Sequence, residues 1–168
     1  MKRTGKAMRR PTERGAIAVE AAFVLGVLAT FLALPSIFLA MYFYTYTAAQ
    51  KAVHDAALYL STAPKAEMTS AGPDGDPAAL TLARKIIARE MAGVIPGSVT
   101  LDPGFVCVYR QPSGSSALKP CTLASNQAGN QTLIQFAVSL ELSYVDPLTG
   151  NDSGLWISPY APVRYVGN

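Results

Sequence analysis

"EAAFVLGVLATFLALPSIFLAMYFYTYTAAQ", residues 20–50, is the stretch whose reading decides the fold. After Glu20 no charged side chain occurs until Lys51. About 20 apolar residues suffice to cross a hydrocarbon core of about 30 Å, so the run is long enough for a membrane-spanning helix, placed over about 21–46. A secretory signal has an apolar region of only about 7–15 residues; the longer run reads as a retained anchor. Tyr42, Tyr44 and Tyr46, with Phe43 among them, suit the outer interface, where amphipathic rings settle at headgroup level. Pro35 removes one helical hydrogen bond, and a kink or local unwinding is expected there.

The formal charge of +3 is informative only once it is located. Residues 1–15 hold Lys2, Arg3, Lys6, Arg9, Arg10 and Arg14 against Glu13, whereas 16–168 hold eight basic and ten acidic side chains. The positive excess is therefore a leader placed just before the apolar run, and a nucleic-acid role loses its support. Basic residues stay on the cytoplasmic side. This places the N-terminus inside and everything after about residue 50 outside, which for a single-pass inner-membrane protein is the periplasm.

Beyond the apolar run, Ala49, Ala52, Val53, Ala56 and Leu60 recur at helical spacing and continue the same helix to about residue 62. Small residues let helix backbones approach closely. That stripe suits the chain's own globular part and a neighbouring helix equally well. Residues 63–77, rich in Pro, Gly, Ser and Asp, read as a solvent-exposed linker. The segment 78–94 reads as an amphipathic helix with Leu80, Ala83, Ile87 and Met91 on its apolar side. Arg84, Lys85 and Arg89 fill a solvated one, and Gly93 closes it.

Pro96–Gly97 breaks the chain. Residues 98–110 read as strand, turn at Asp102–Pro103–Gly104, and strand. The clearest strand is 131–145, where Phe136, Val138, Leu140, Leu142 and Tyr144 alternate with smaller or polar residues. The tail, with Trp156, Pro159 and Pro162, allows one or two short edge strands. The expected class is α+β: a long N-terminal membrane-spanning helix, then a small periplasmic domain with one amphipathic helix and an antiparallel sheet. The boundaries are a leader over 1–15, the helix over 16–62, the linker over 63–77 and the head over 78–168.

Glu20 is the anomaly in this scheme, because a charge at the bilayer centre costs about 2.5–3.5 kcal/mol on insertion scales. The local string is a basic leader, Gly15, a short apolar run, Glu at the fifth position after the glycine, and an apolar helix. It resembles the processing signature of type IV prepilins. The longer string "ERGAIAVEAAFVLGVL", followed by "YTYTAAQKAVHDAALYLSTAP", is similar to the TadE and TadG-like pseudopilins, or minor pilins, of the tight-adherence (Flp, type IVb) pilus system. The chain differs from many of those proteins in having Ala21 directly after Glu20 and Gly26 roughly where they carry proline.

The resemblance implies cleavage by a prepilin peptidase between Gly15 and Ala16. It also implies pairing of Glu20 with the new Ala16 ammonium of a neighbouring subunit, and partnership with other pilins and tight-adherence assembly proteins. A carboxylate four residues from the new amine lies on its helix face. A paired buried charge contributes more to specificity than to stability. The competing reading is an uncleaved, membrane-anchored periplasmic adaptor or binding protein.

The two cysteines, Cys107 and Cys121, flank a polar loop on the exported side, where disulfides persist. A bridge between them, closing about fifteen residues, is worth about 3 kcal/mol. They form neither a C-x-x-C motif nor zinc-ligand pairs, so no metal and no cofactor is expected. His54, the only histidine, reads as a surface residue beside Asp55, which it does not face on a helix. Asp102, Glu141 and Asp146 show no pattern of a shared site, and no nucleophile or phosphate-binding motif occurs. The chain reads as the substrate of an enzyme, without a small-molecule substrate of its own.

Overall fold

The computed structural model describes residues 14–95, 101–146 and 149–167, with side chains from residue 18 onward. The basic stretch 1–13, the Pro96–Gly97 break and the start of the strand expected over 98–110 lie outside the described residues. The chain divides after residue 40 into two compact units.

The first unit is the N-terminal part of α1 (Arg14–Thr62). Apart from the half-buried Phe38, residues 18–40 are exposed. The helix continues through Pro35 without the unwinding expected there. A proline removes only its own N–H, and at this point the Ser36 hydroxyl donates to the Leu32 carbonyl oxygen at 2.6 Å. The Thr30 hydroxyl likewise donates to the Gly26 carbonyl at 2.9 Å. In hydrocarbon no water would serve these groups, so the segment satisfies its two hydroxyls with its own backbone.

The second unit contains the rest of α1, then α2 (Lys65–Thr69), α3 (Ala78–Met91), β1 (Pro103–Arg110), β2 (Ser116–Pro120), α4 (Leu123–Gln127), β3 (Thr132–Leu140), β4 (Leu142–Val145), β5 (Asp152–Ile157) and β6 (Tyr160–Arg164). Two antiparallel sheets result, one in the order β2-β1-β3-β6 and one pairing β4 with β5. The fold is α+β, a long N-terminal apolar helix followed by a small antiparallel-sheet domain.

The strand expected over 131–145 is split at Glu141. Its first part pairs with β1 and β6 in the large sheet, with Phe136 opposite both Cys107 and Val163. Its second part pairs with β5, with Leu142 opposite Ile157. The alternation survives the split, since Phe136, Val138, Leu140, Leu142 and Tyr144 are all buried. The polar loop 111–120 is half strand: Gly114, in the left-handed region at φ 83°, turns the chain so that β2 returns along β1.

Residues 63–77 are folded, in contrast to the expected solvent-exposed linker. They hold α2, bury Ala63 and Met68, and close a turn bridged between Ala71 and Pro77. Arg84 of α3 holds that turn, donating to Asp76 at 2.6 Å with Asp74 at 3.8 Å. It also lies over the Phe105 ring, 5.4 Å from the centroid. Pro, Gly and Asp suit a tight turn as well as a linker; the partner that separates the two cases comes from eight to ten residues further on. For the same reason Arg84 leaves the solvated basic face, while Lys85 and Arg89 remain on it. The apolar side of α3, Leu80, Ala83, Ile87 and Met91, is buried.

Candidate assembly and membrane-anchoring site

Each unit carries candidate features of its own. In the first, Phe23, Val24, Leu25, Leu28, Phe31 and Leu32 are exposed around the helix, Phe31 to 75%. Apolar patches on soluble monomers rarely exceed a few hundred Å²; a helix apolar on every side instead needs lipid or other helices as its solvent. Among the described residues this is the one helix long and apolar enough to cross a membrane, consistent with a single-pass membrane protein. Glu20 stands exposed at its start and has no ion-pair partner among the described residues. The Gly15–Ala16 bond falls in the first turn of α1.

In the second unit, α1 changes character. Ala49, Ala52, Val53, Ala56, Ala57 and Leu60 are buried, a stripe at i, i+3 and i+4 spacing. Polar contacts tie this half of α1 to its surroundings. Lys51 pairs with Glu90 of α3 and, at 3.4 Å, with Asp55. The hydrogen bond to Glu90 raises the Lys51 ammonium above the usual lysine range. The Tyr59 hydroxyl donates to Glu67 at 2.6 Å, the Val166 amide to the Ser61 carbonyl at 2.8 Å, and the Tyr165 hydroxyl to the Ala63 carbonyl at 3.0 Å. Of the two packing partners the stripe suited equally, the chain's own domain is the one that covers it.

Near the start of this unit, Tyr42 packs edge-on against Tyr144 of β4, ring centroids 5.3 Å apart, and its hydroxyl lies 3.4 Å from the Trp156 carbonyl oxygen. Phe43 and Tyr44 remain exposed. The aromatic group is thus divided between the head and the surface; the sequence allowed strands at 131–145 and around Trp156, and what it did not show is that Tyr42 packs against them.

The structure joins Cys107 to Cys121, Cα atoms 5.1 Å apart, which fastens the end of β2 to the middle of β1. Beside it, the buried Tyr109 hydroxyl donates to the Asn126 side-chain oxygen at 2.5 Å, and the Asn126 amide donates to the Met68 carbonyl at 3.0 Å. Burial pushes the Tyr109 phenol up to about 12. These contacts hold α4 against α2. A cleft of about 720 Å³ nearby is lined by Met68, Tyr109, Gln127, Ile134, Arg164 and Tyr165 among others, and contains none of the residues singled out from the sequence. His54, Asp102 and Glu141 are exposed, and Asp146 accepts from the Thr149 hydroxyl at 2.8 Å. No group of three or more His, Cys, Asp or Glu side chains suited to a metal occurs among the described residues.

The segment that carries Glu20, the apolar run and the start of the buried stripe is also the segment that is recognisable. Residues 15–58 match the family model of TadE-like proteins. No curated protein and no solved structure matches the chain. The TadE-like match begins at Gly15 and ends within the part of α1 that the head covers. Along this segment, about a quarter of the chain, the protein is similar to TadE-like proteins.

Proposed function

We propose that this chain is a pseudopilin, or minor pilin, of a tight-adherence type IVb pilus. In this reading a prepilin peptidase cuts between Gly15 and Ala16. The mature protein sits in the inner membrane through residues 21–46, N-terminus cytoplasmic and head periplasmic. Glu20 accepts the Ala16 ammonium of a neighbouring pilin subunit and so sets the register of assembly. The observation that carries the reading is the TadE-like match starting at Gly15, on a helix whose carboxylate is exposed at the edge of an apolar run. The role of the chain is then to be processed and to take part in assembly with other pilins and tight-adherence proteins.

The test is the mass and N-terminal sequence of protein extracted from membranes of cells with an active prepilin peptidase. A chain beginning at Ala16 is expected, and Gly15→Leu should leave the precursor inserted but uncut. A full-length chain in those membranes would overturn the proposal in favour of an uncleaved periplasmic adaptor. Glu20→Leu separates processing from assembly: it should be inserted and cleaved, yet fail to crosslink to other pilins. Its incorporation would leave an ammonium unpaired, and breaking a buried pair costs about 3–5 kcal/mol.

A further inference from the structure

The β4–β5 pair is fastened to α1 at Tyr42, near the outer end of the segment long and apolar enough to cross a membrane. Within the span read over 21–46, residues 21–41 rise about 30 Å at 1.5 Å per residue, the thickness of the hydrocarbon core, which leaves 42–46 for the outer headgroup layer. Tyr42 therefore falls at the outer boundary of the core, and Phe43 and Tyr44 beside it are exposed, as interfacial rings should be. Tyr42 in turn holds β4 through the Tyr144 ring and reaches the Trp156 backbone of β5. On that strand Trp156 is 66% exposed and Leu155 40% exposed, while Ile157 next to them is fully buried. An indole with its body in an apolar layer and its N–H among polar headgroups occupies the place tryptophan prefers at membrane surfaces.

From this geometry, and resting on the reading that residues 21–46 cross the membrane, we propose that the β4–β5 pair lies on the outer surface of the membrane, with Trp156 among the lipid headgroups. The partner is the lipid surface itself. Residues 141–160 contain Glu141, Asp146 and Asp152 and no lysine or arginine, so the contact is apolar and aromatic and needs no anionic lipid. Asp152, the carboxylate on β5, is occupied within the pair, accepting from the Ser143 hydroxyl and, at 2.8 Å, from the Gly154 amide. The consequence for the head is a second point of attachment, beside the helix, which limits how it can turn on the membrane.

Trp156 is the only tryptophan in the chain, so its emission reports on this one position. The full chain is reconstituted into phosphatidylcholine vesicles at low protein-to-lipid ratio, floated on a density gradient, and its tryptophan emission titrated with a lipid spin-labelled near the headgroup and, separately, with aqueous iodide. The spin-labelled lipid should remove most of the emission and iodide little. Floated protein whose emission iodide removes and the spin label spares would overturn the membrane contact while leaving the anchor intact. Protection from both quenchers would mean that protein, a second copy of the chain, covers Trp156, and would overturn it equally. Protein that fails to float would overturn the anchor and the contact together.

Discussion

In the first half of α1, Phe23, Leu28 and Phe31 stand exposed, whereas in the second half Ala49, Ala52 and Ala56, with far less apolar surface each, are completely buried. By composition alone the first half is the better core helix. The difference teaches that burial in this chain follows what each half can pack against, and apolarity alone does not predict it. A large apolar helix with no protein partner requires lipid or other helices. A helix with a stripe of small residues allows close approach, and α1 beyond residue 41 has the folded head to approach.

The sharpest way to break the comparison is to make the same truncation on both sides of it. Phe136→Ala, at a site 1% exposed, removes a ring from the large sheet and should destabilise the head by about 3–5 kcal/mol. Phe31→Ala, at 75% exposure, should leave the unfolding midpoint of the head unchanged. Urea unfolding of the full chain in detergent, followed by near-ultraviolet circular dichroism, measures both. A loss of head stability in Phe31→Ala would show that the two halves are not separate.

Next in size is the bridge. Replacing Cys107 and Cys121 together by serine should cost about 3 kcal/mol, the chain-entropy value for a loop of this length, and should leave membrane insertion as it was. Thiol labelling of the denatured, unreduced wild-type chain should find no free cysteine.

How much of this was legible differs between the halves for the same physical reason. The apolar segment is one continuous run from Ala21 to Gln50 with a carboxylate at its edge, and nothing distant alters its meaning. The buried stripe of α3 and the alternation through Phe136 to Tyr144 were legible in the same way, as periodic local patterns. What depended on distant partners was not. Residues 63–77 look like a linker until Arg84 reaches back to Asp74 and Asp76. The single strand over 131–145 divides because its two parts find different neighbours, β1 and β6 on one side and β5 on the other. Tyr42 looked like one more interfacial ring, and its contact with Tyr144 crosses about a hundred residues of chain.

A smaller effect tests the small-residue stripe. Ala52 is fully buried, and Ala52→Leu should cost about 1–3 kcal/mol of head stability through overpacking. Ala33→Leu, on the exposed half, only adds apolar surface to a segment that already seeks it, and should leave head stability unchanged while insertion stays complete. If Ala52→Leu is neutral, the stripe is less closely packed than its burial indicates and the contrast between the halves weakens.

The smallest effect concerns a hydroxyl group of the head that is served by a different element, whereas serine and threonine hydroxyls along α1 use their own helix. Thr30 and Ser36 use carbonyls of their own helix, whereas Tyr109 uses a side chain from another element, Asn126. Tyr109→Phe should therefore cost about 1 kcal/mol at neutral pH, the net worth of one hydrogen bond. It should also alter the alkaline response. An unfolded tyrosine titrates near 10, and burial holds Tyr109 in the head up to about 12. Between these values the unfolded chain has released a proton that the folded chain retains, so the stabilising contribution, complete below pH 10, is lost as pH rises towards 12. Burial also raises Tyr59, Tyr144 and Tyr165, so the alkaline decline should become shallower in Tyr109→Phe without disappearing. Urea midpoints of wild type and variant across pH 9–12 measure the difference. Parallel curves would mean that the Tyr109 phenol titrates like an exposed one, and an unchanged midpoint at neutral pH would mean that its hydrogen bond to Asn126 adds nothing to the head.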